Sequence, residues 1–438
     1  MLEVRPSYGP SALPARHLRQ GWRGSALILA TLALLSGCGM PAQGQPPATS
    51  SAEASAPVAV VAAAGSAAAS RVAASQPTVI RIAAAPGVVP AASAAAPAGP
   101  PASGVRPLRW APVPRIAGPL TNQDIGIVIN TADPYSVEVG EYYIRARKLS
   151  PAQVLRVELP VRARLTPDEF RAFDRKVSAF FGADTQALAL AWVKPWAVAC
   201  NSITAALGLG FDDELCEHSC DPPLRFSPYF NSPSTRPYTD LGLRPSMLLA
   251  ADDVAGAKAM IDRGVASDYT LGLRGAPPVN AYFVITPDKA RSTRALFFPP
   301  PGRLDKFGVD VHVERTTALE HVDRVLMYLT GAVRVAGLDT IGWVPGAVGD
   351  HLTSVGGILD GSGSQMSATA WIASGATASY GTVSEPCSHP QKFPHSQVLL
   401  LQYVQGSSVI EAYWKSVAWP QQGVFIGEPL AAPFARRK

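Results

Sequence analysis

Regular patterning of apolar and polar positions begins at residue 124. Asp124-Ile-Gly-Ile-Val-Ile-Asn130 is a short unbroken apolar run, the kind that forms a strand buried on both faces. Asp133-Pro134 follows, an N-cap residue with proline at the first helical position, and predicts a helix through Arg147. Val154 to Leu159 reads as the next strand, and Thr166-Pro-Asp-Glu169 is a capping-box pattern opening a helix through Phe181. The apolar run Ala187 to Cys200 carries Trp192 and Trp196. The rhythm breaks over 211–243, then resumes with a strand at Met247–Ala250, a helix ending at Gly264 and a strand at Ala281–Ile285. Thr317-Ala-Leu-Glu320 predicts a capped helix ahead of the apolar Val325–Leu329. Residues 365–374 read as a helix closed by Gly375, and 376–383 as a strand. Ser408-Val-Ile-Glu411 caps a late helix through Val417, and Gly423-Val-Phe-Ile-Gly427 is the last apolar strand. No internal repeat is visible. Strands alternating with capped helices predict an α/β fold, a three-layer sandwich around a mostly parallel sheet. It occupies one domain over 119–434, with a Cys-containing insertion at about 200–243.

The chain before residue 119 patterns differently. Arg16, Arg19 and Arg23 precede the apolar stretch Ala26–Leu35, which is too short to span a bilayer and fits a secretory signal. It ends in Leu35-Ser36-Gly37-Cys38, which resembles a bacterial lipobox. Residues 1–37 are then a lipoprotein signal peptide, with Cys38 the lipidated first residue of the mature protein. From there to residue 118 the chain is mostly Ala, Pro, Ser, Gly and Val with almost no charge, a composition that predicts a disordered tether. The expected location is extracytoplasmic and lipid-anchored, and Gly39 after the cysteine favours the outer membrane where two membranes exist.

Charge and cysteines narrow the partners. The net charge of +5 over 438 residues includes the leader's arginines and the tail Arg436-Arg437-Lys438, so the domain is near neutral. No basic stripe interleaves with aromatics, which argues against nucleic acid. The expected partners are the membrane, through the lipid anchor, and a protein or surface polymer. Of the five cysteines, four remain once Cys38 is lipidated. In an oxidising compartment Cys200, Cys216 and Cys220 are disulfide candidates, with at least one bridge expected and 200–220 favoured.

Candidate chemistry gathers in 345–395. Asp350 and His351 sit between a Pro-Gly turn and an apolar stretch, a place suited to a site at a strand's carboxyl end. As adjacent strand residues they point to opposite faces. Cys387 is either a nucleophile served by His351, His389 or His395, or a disulfide partner of the 200–220 segment. The catalytic set is therefore His351, Cys387, Asp350 and His395. No cofactor motif is present, and a metal held by His351, His389 and His395 is the alternative chemistry. Asp360-Gly-Ser-Gly-Ser364, ahead of the expected helix, offers backbone N–H groups to an anion.

Several phrases carry a resemblance. PGAVGDHLTSVGG (345–357), GATASYGTVSEPC (375–387), EAYWKSV (411–417) and GVFIGEPLAAPF (423–434) resemble an uncharacterised family of exported bacterial proteins found with exosortase-type sorting systems. NTADPYSVEVGEYY (130–143) and MIDRGVASD (260–268) resemble the same family, which carries no established activity. More distantly, the order of motifs is similar to gingipain-like cysteine peptidases of caspase-like fold. In those enzymes one strand ends in His-Gly and a later one in the nucleophilic cysteine. Here Thr330-Gly331 stands at the first place and Asp350-His351 at the second. The resemblance therefore implies a caspase/gingipain-like fold with a degenerate site, serving a binding or assembly role at the cell envelope. The alternative is a cysteine- or metal-dependent hydrolase of peptides or surface polymers, with its site at 350–395.

Overall fold

The computed structural model of the chain describes residues 109–437. The expected signal peptide, Cys38 and most of the tether lie outside the described residues. The last stretch before the domain is held against it. Gln397 accepts the Ala111 N–H at 2.5 Å, while Asn231 and Gln405 donate to the carbonyls of Pro112 and Pro114 at 2.9 and 3.3 Å.

The first strand, β1 (Ile125–Asn130), is buried along its whole length and leads into α1 (Pro134–Arg147), whose N-cap Asp133 accepts the Tyr135 N–H as the sequence predicts. Next come β2 (Val154–Val157), β3 (Arg164–Leu165) and α2 (Pro167–Phe180), the last opened by a complete capping box of Thr166 and Glu169. β4 (Ala187–Leu190) precedes the disulfide-bearing segment, which holds β5 (Ala197–Val198), β6 (Asn201–Ser202), α3 (Ile203–Leu209), α4 (Glu214–Glu217) and α5 (Pro237–Leu241). β7 (Ser246–Leu248), α6 (Val254–Ser267) and β8 (Val279–Val284) restore the alternation. The chain continues through β9 (Gly302–Leu304), β10 (Val309–Glu314), β11 (Val325–Gly331), β12 (Trp343–Leu352), α7 (Thr369–Ser374) and β13 (Ala378–Thr382). It closes with α8 (Ser396–Val404), α9 (Val409–Ser416) and β14 (Gly423–Gly427).

Eleven strands form one sheet in the order β2-β1-β4-β7-β14-β13-β12-β11-β8-β10-β9. Its neighbours are parallel except at β13–β14 and at β9–β10. The result is an α/β domain whose large, mostly parallel sheet is packed by helices. Two groups of four strands share one winding. In β2-β1-β4-β7 and in β10-β8-β11-β12 the first strand of the group is internal, the second lies outside it, and the third and fourth follow on the other side. This repeat of topology has no counterpart visible in the sequence.

Alternation along single strands sets which helix meets which face. On β12, Gly349 and His351 face Trp371 of α7, while Asp350 faces α9 on the other side. A Cβ on Gly349 would stand 2.4 Å from the Trp371 ring, so only glycine lets this fully buried indole pack so close to the strand.

Two expected helices differ. Residues 317–324 form a loop, with His321 and Arg324 at φ of 51° and 54° and the Leu319 N–H donated to the Tyr328 hydroxyl at 3.1 Å. Left-handed residues cannot continue a helix, so the capping pattern there begins nothing. The helix expected from Gln365 starts instead at Thr369, because the Gln365 side chain turns back to bind Thr353 and the Val355 N–H. Among the described residues no helix is long and apolar enough to cross a membrane. Two disulfides, Cys200–Cys216 and Cys220–Cys387, accord with an oxidising, extracytoplasmic setting.

Candidate functional site

Strands β11 and β12 lie side by side in parallel register, pairing Leu329 with Asp350 and Thr330 with His351. Their carboxyl ends are the place where a parallel sheet presents loops, and they are filled here by the protein's own side chains. A short turn of 3-10 helix, Ser292–Phe297, brings Arg294 into the core, where it is 1 % exposed. Its guanidinium forms an ion pair with Asp350 and donates to the Thr330 carbonyl at 2.8 Å. Gly331 permits this approach, because a Cβ there would stand 1.9 Å from the Arg291 carbonyl oxygen.

Asp350 is fully buried, and burial raises its carboxyl above the ordinary range while Arg294 opposes the rise. Tyr413 lies beside the same carboxylate. Thr330 donates to the Val284 carbonyl at 3.2 Å and has no acidic or basic role.

His351 is equally enclosed. Trp371 Nε1–H donates to its Nδ1 at 3.0 Å, which leaves the ring proton on Nε2, 3.2 Å from the Met366 carbonyl. Burial first, then the nearby Arg294, draws its pKa down to about 3. Both ring nitrogens are used, so the imidazole is a neutral packing group. Asp350 and His351 point to opposite faces and act separately.

The second cluster, 384–395, is organised by the insertion. Cys387 is bonded to Cys220, Ser384 donates to the Cys200 carbonyl at 2.7 Å, and Lys392 donates to the Ser219 carbonyl at 2.5 Å. In this oxidised form Cys387 has no thiol to ionise, which removes the nucleophile that the catalytic reading requires. Burial draws the Lys392 ammonium down to about 8. His395 caps α8 by accepting the Val398 N–H at 3.4 Å and stacks on Phe297 with centroids 4.3 Å apart. His389 leans on Trp419 at 5.7 Å.

The structure therefore does not bring His351, Cys387, Asp350 and His395 together. Among the described residues no three His, Cys, Asp or Glu side chains are arranged to hold a metal, so the donor set His351, His389 and His395 does not form a site. The loop at 360–364 is satisfied internally. Asp360 accepts both the Ser362 N–H and its hydroxyl and pairs with Lys194 at 2.9 Å.

Sequence reasoning missed Arg294, because a single arginine in a polar stretch carries no sign that it will be buried. It also missed the places where the winding reverses. Outside the carboxyl ends of β1, β4 and β7, Asp133, Lys194, Asp252 and Asp360 border an open cavity of about 410 Å³. Outside β8, β10 and β11, Asp288, Thr317 and Arg334 border another of about 470 Å³. Both stand where parallel sheets commonly admit ligands, and the signal that would have found them is strand order. Compared with family models, with curated proteins and with solved structures, the chain matches none.

Proposed function

We propose that this is a lipid-anchored, extracytoplasmic protein of caspase/gingipain-like three-layer fold whose peptidase site is degenerate, and that it serves a binding or assembly role at the cell envelope. What supports the reading is the β11–β12 edge. The two places that would carry histidine and cysteine in a gingipain-like enzyme are neighbours in register, and they hold Thr330 and Asp350-His351. The winding of β8, β10, β11, β12 and β13, with β14 running antiparallel to β13, agrees with the motif order on which the resemblance rests. Activation of a thiol needs an imidazole with a free nitrogen, and here the one histidine at that edge donates and accepts within the core.

The test applies an activity-based thiol probe and a peptide library to the purified protein, beside a Cys38→Ala variant followed by cell fractionation. The expected outcome is no probe labelling and no turnover, with membrane association lost in Cys38→Ala. Labelling of Cys387 that depends on His351, together with peptide cleavage, overturns the degenerate reading. Unchanged membrane association of Cys38→Ala overturns the anchor.

A further inference from the structure

A cavity of about 700 Å³ opens beside β4, α3 and α5, away from the β11–β12 edge. Its wall mixes polar and apolar groups: Asp174, Ser178 and Arg225 share it with Leu207 and Leu241, and Phe226 stands 60 % exposed at it. A pocket of this size and mixed lining suits a small amphipathic molecule, its apolar part against Phe226 and the leucines. Into it is built one buried cation. Arg244 is 5 % exposed, and its Nε–H donates to the Thr185 carbonyl at 2.9 Å. One terminal nitrogen, Nη2, donates to the carbonyls of Phe181 and Gly182 at 3.2 and 3.0 Å. The guanidinium lies over the Tyr238 ring, 3.5 Å from its centroid.

Three carbonyls and an aromatic face fix the orientation of this group, and Asp174, beyond salt-bridge distance, compensates its charge only in part. Among the described residues no carboxylate lies within salt-bridge distance of Arg244, and its other terminal nitrogen, Nη1, has no hydrogen-bond partner. Burial, the dominant influence, draws its pKa below the ordinary arginine value. A mostly buried guanidinium held rigidly, with Nη1 unpaired and open to solvent, is a preorganised donor to a carboxylate. A second arginine, Arg225, also lines the cavity, against a single carboxylate, Asp174.

We propose that this cavity binds an apolar carboxylate, with the acid on Arg244 and the apolar body against Phe226 and the leucine wall. The chemistry is shared by a free aromatic or aliphatic acid and by the C-terminal residue of a peptide ending in an apolar side chain. The site is independent of the degenerate β11–β12 edge, so either inference stands if the other fails.

The test is calorimetric titration of the full-length protein with N-acetyl-phenylalanine, with acetyl-Ala-Ala-Phe, and with the C-terminal amide of each. Saturable binding of at least one free acid is expected, weakened at least about tenfold in its amide, in keeping with the worth of a charge-assisted hydrogen bond. Tighter binding of the tripeptide points to a chain terminus as the source, and tighter binding of the single residue points to a free acid. Arg244→Gln is expected to lose binding about tenfold or more. Because Arg244 also braces the 181–185 turn, Ser178→Trp provides the second variant. Ser178 is an exposed residue of α2 lining the cavity, and an indole there takes up part of it. Ser178→Trp should weaken binding while the melting temperature stays unchanged. Amides that bind as tightly as acids, a Ser178→Trp protein that binds normally, or no saturable binding of any probe overturns the proposal.

Discussion

Arg294 and Asp350 show how much one buried pair decides. With exposures of 1 % and 0 %, neither is stable in the core alone, and each is tolerable only because the other is there. Arg294→Met should therefore destabilise the fold by about 3–5 kcal/mol, the usual cost of leaving a buried charge unpaired. Adding Asp350→Leu should recover most of that loss. Urea unfolding of both single variants and the double variant measures the coupling, and additive losses would mean the pair does not act as a unit.

His351 makes a separate prediction about pH. Its pKa is near 3 in the fold and near 6.5 when free, so between those values the unfolded chain binds the extra proton. Acidification through that window lowers stability, by at most about 1.4 kcal/mol per pH unit. His351→Gln can accept from Trp371 and donate to Met366 without titrating. Melting temperatures from pH 7 to pH 4 should fall less steeply in that variant, and equal slopes would contradict the neutral, fully bonded imidazole. The sequence placed Asp350 and His351 at a strand end on opposite faces, as the structure has them. Their partners were invisible because Arg294, Met366 and Trp371 reach them only through folding.

The elements were legible wherever local chemistry defines them. Asp133-Pro134, Thr166–Glu169 and Ser408–Glu411 each cap a helix as their side chains require. α8 was not foreseen because Val398-Leu-Leu-Leu401 offers no polar face, and a helix enclosed nearly all round loses the 3.6-residue period. β10 did carry a signal, the alternation of Val309, Val311 and Val313 with polar residues.

The insertion is an element held mostly from outside itself. Cys200–Cys216 closes a separation of 16 residues and Cys220–Cys387 one of 167. Loop-closure entropy makes the longer bridge worth about 2 kcal/mol more. Cys220→Ser/Cys387→Ser should lower the thermal midpoint further than Cys200→Ser/Cys216→Ser does. Limited proteolysis of the first pair should cut within 211–243, where the segment loses its tie to 384–392. Equal effects of the two pairs would show that the long bridge does not hold the insertion down.

At the scale of the whole molecule, sequence alone determined that the chain carries strands buried on both faces between capped helices, and so a mostly parallel α/β sheet. Those features depend on residues adjacent in the chain, whose spacing fixes which face is apolar and which N–H groups are capped. Its cysteines likewise pointed to disulfides, and two are present. The tertiary structure decided everything that depends on pairs distant in sequence. It set the order of eleven strands with the winding repeated in two groups, the bonding of Cys387 to Cys220, and the burial of Arg294 against a residue 56 positions away. It also set the partly compensated guanidinium of Arg244 in the lining of a cavity. An ionisable side chain looks the same in a sequence whether solvent, a carboxylate or nothing faces it. Its surroundings are set by packing, because only the folded chain fixes which groups replace water around it.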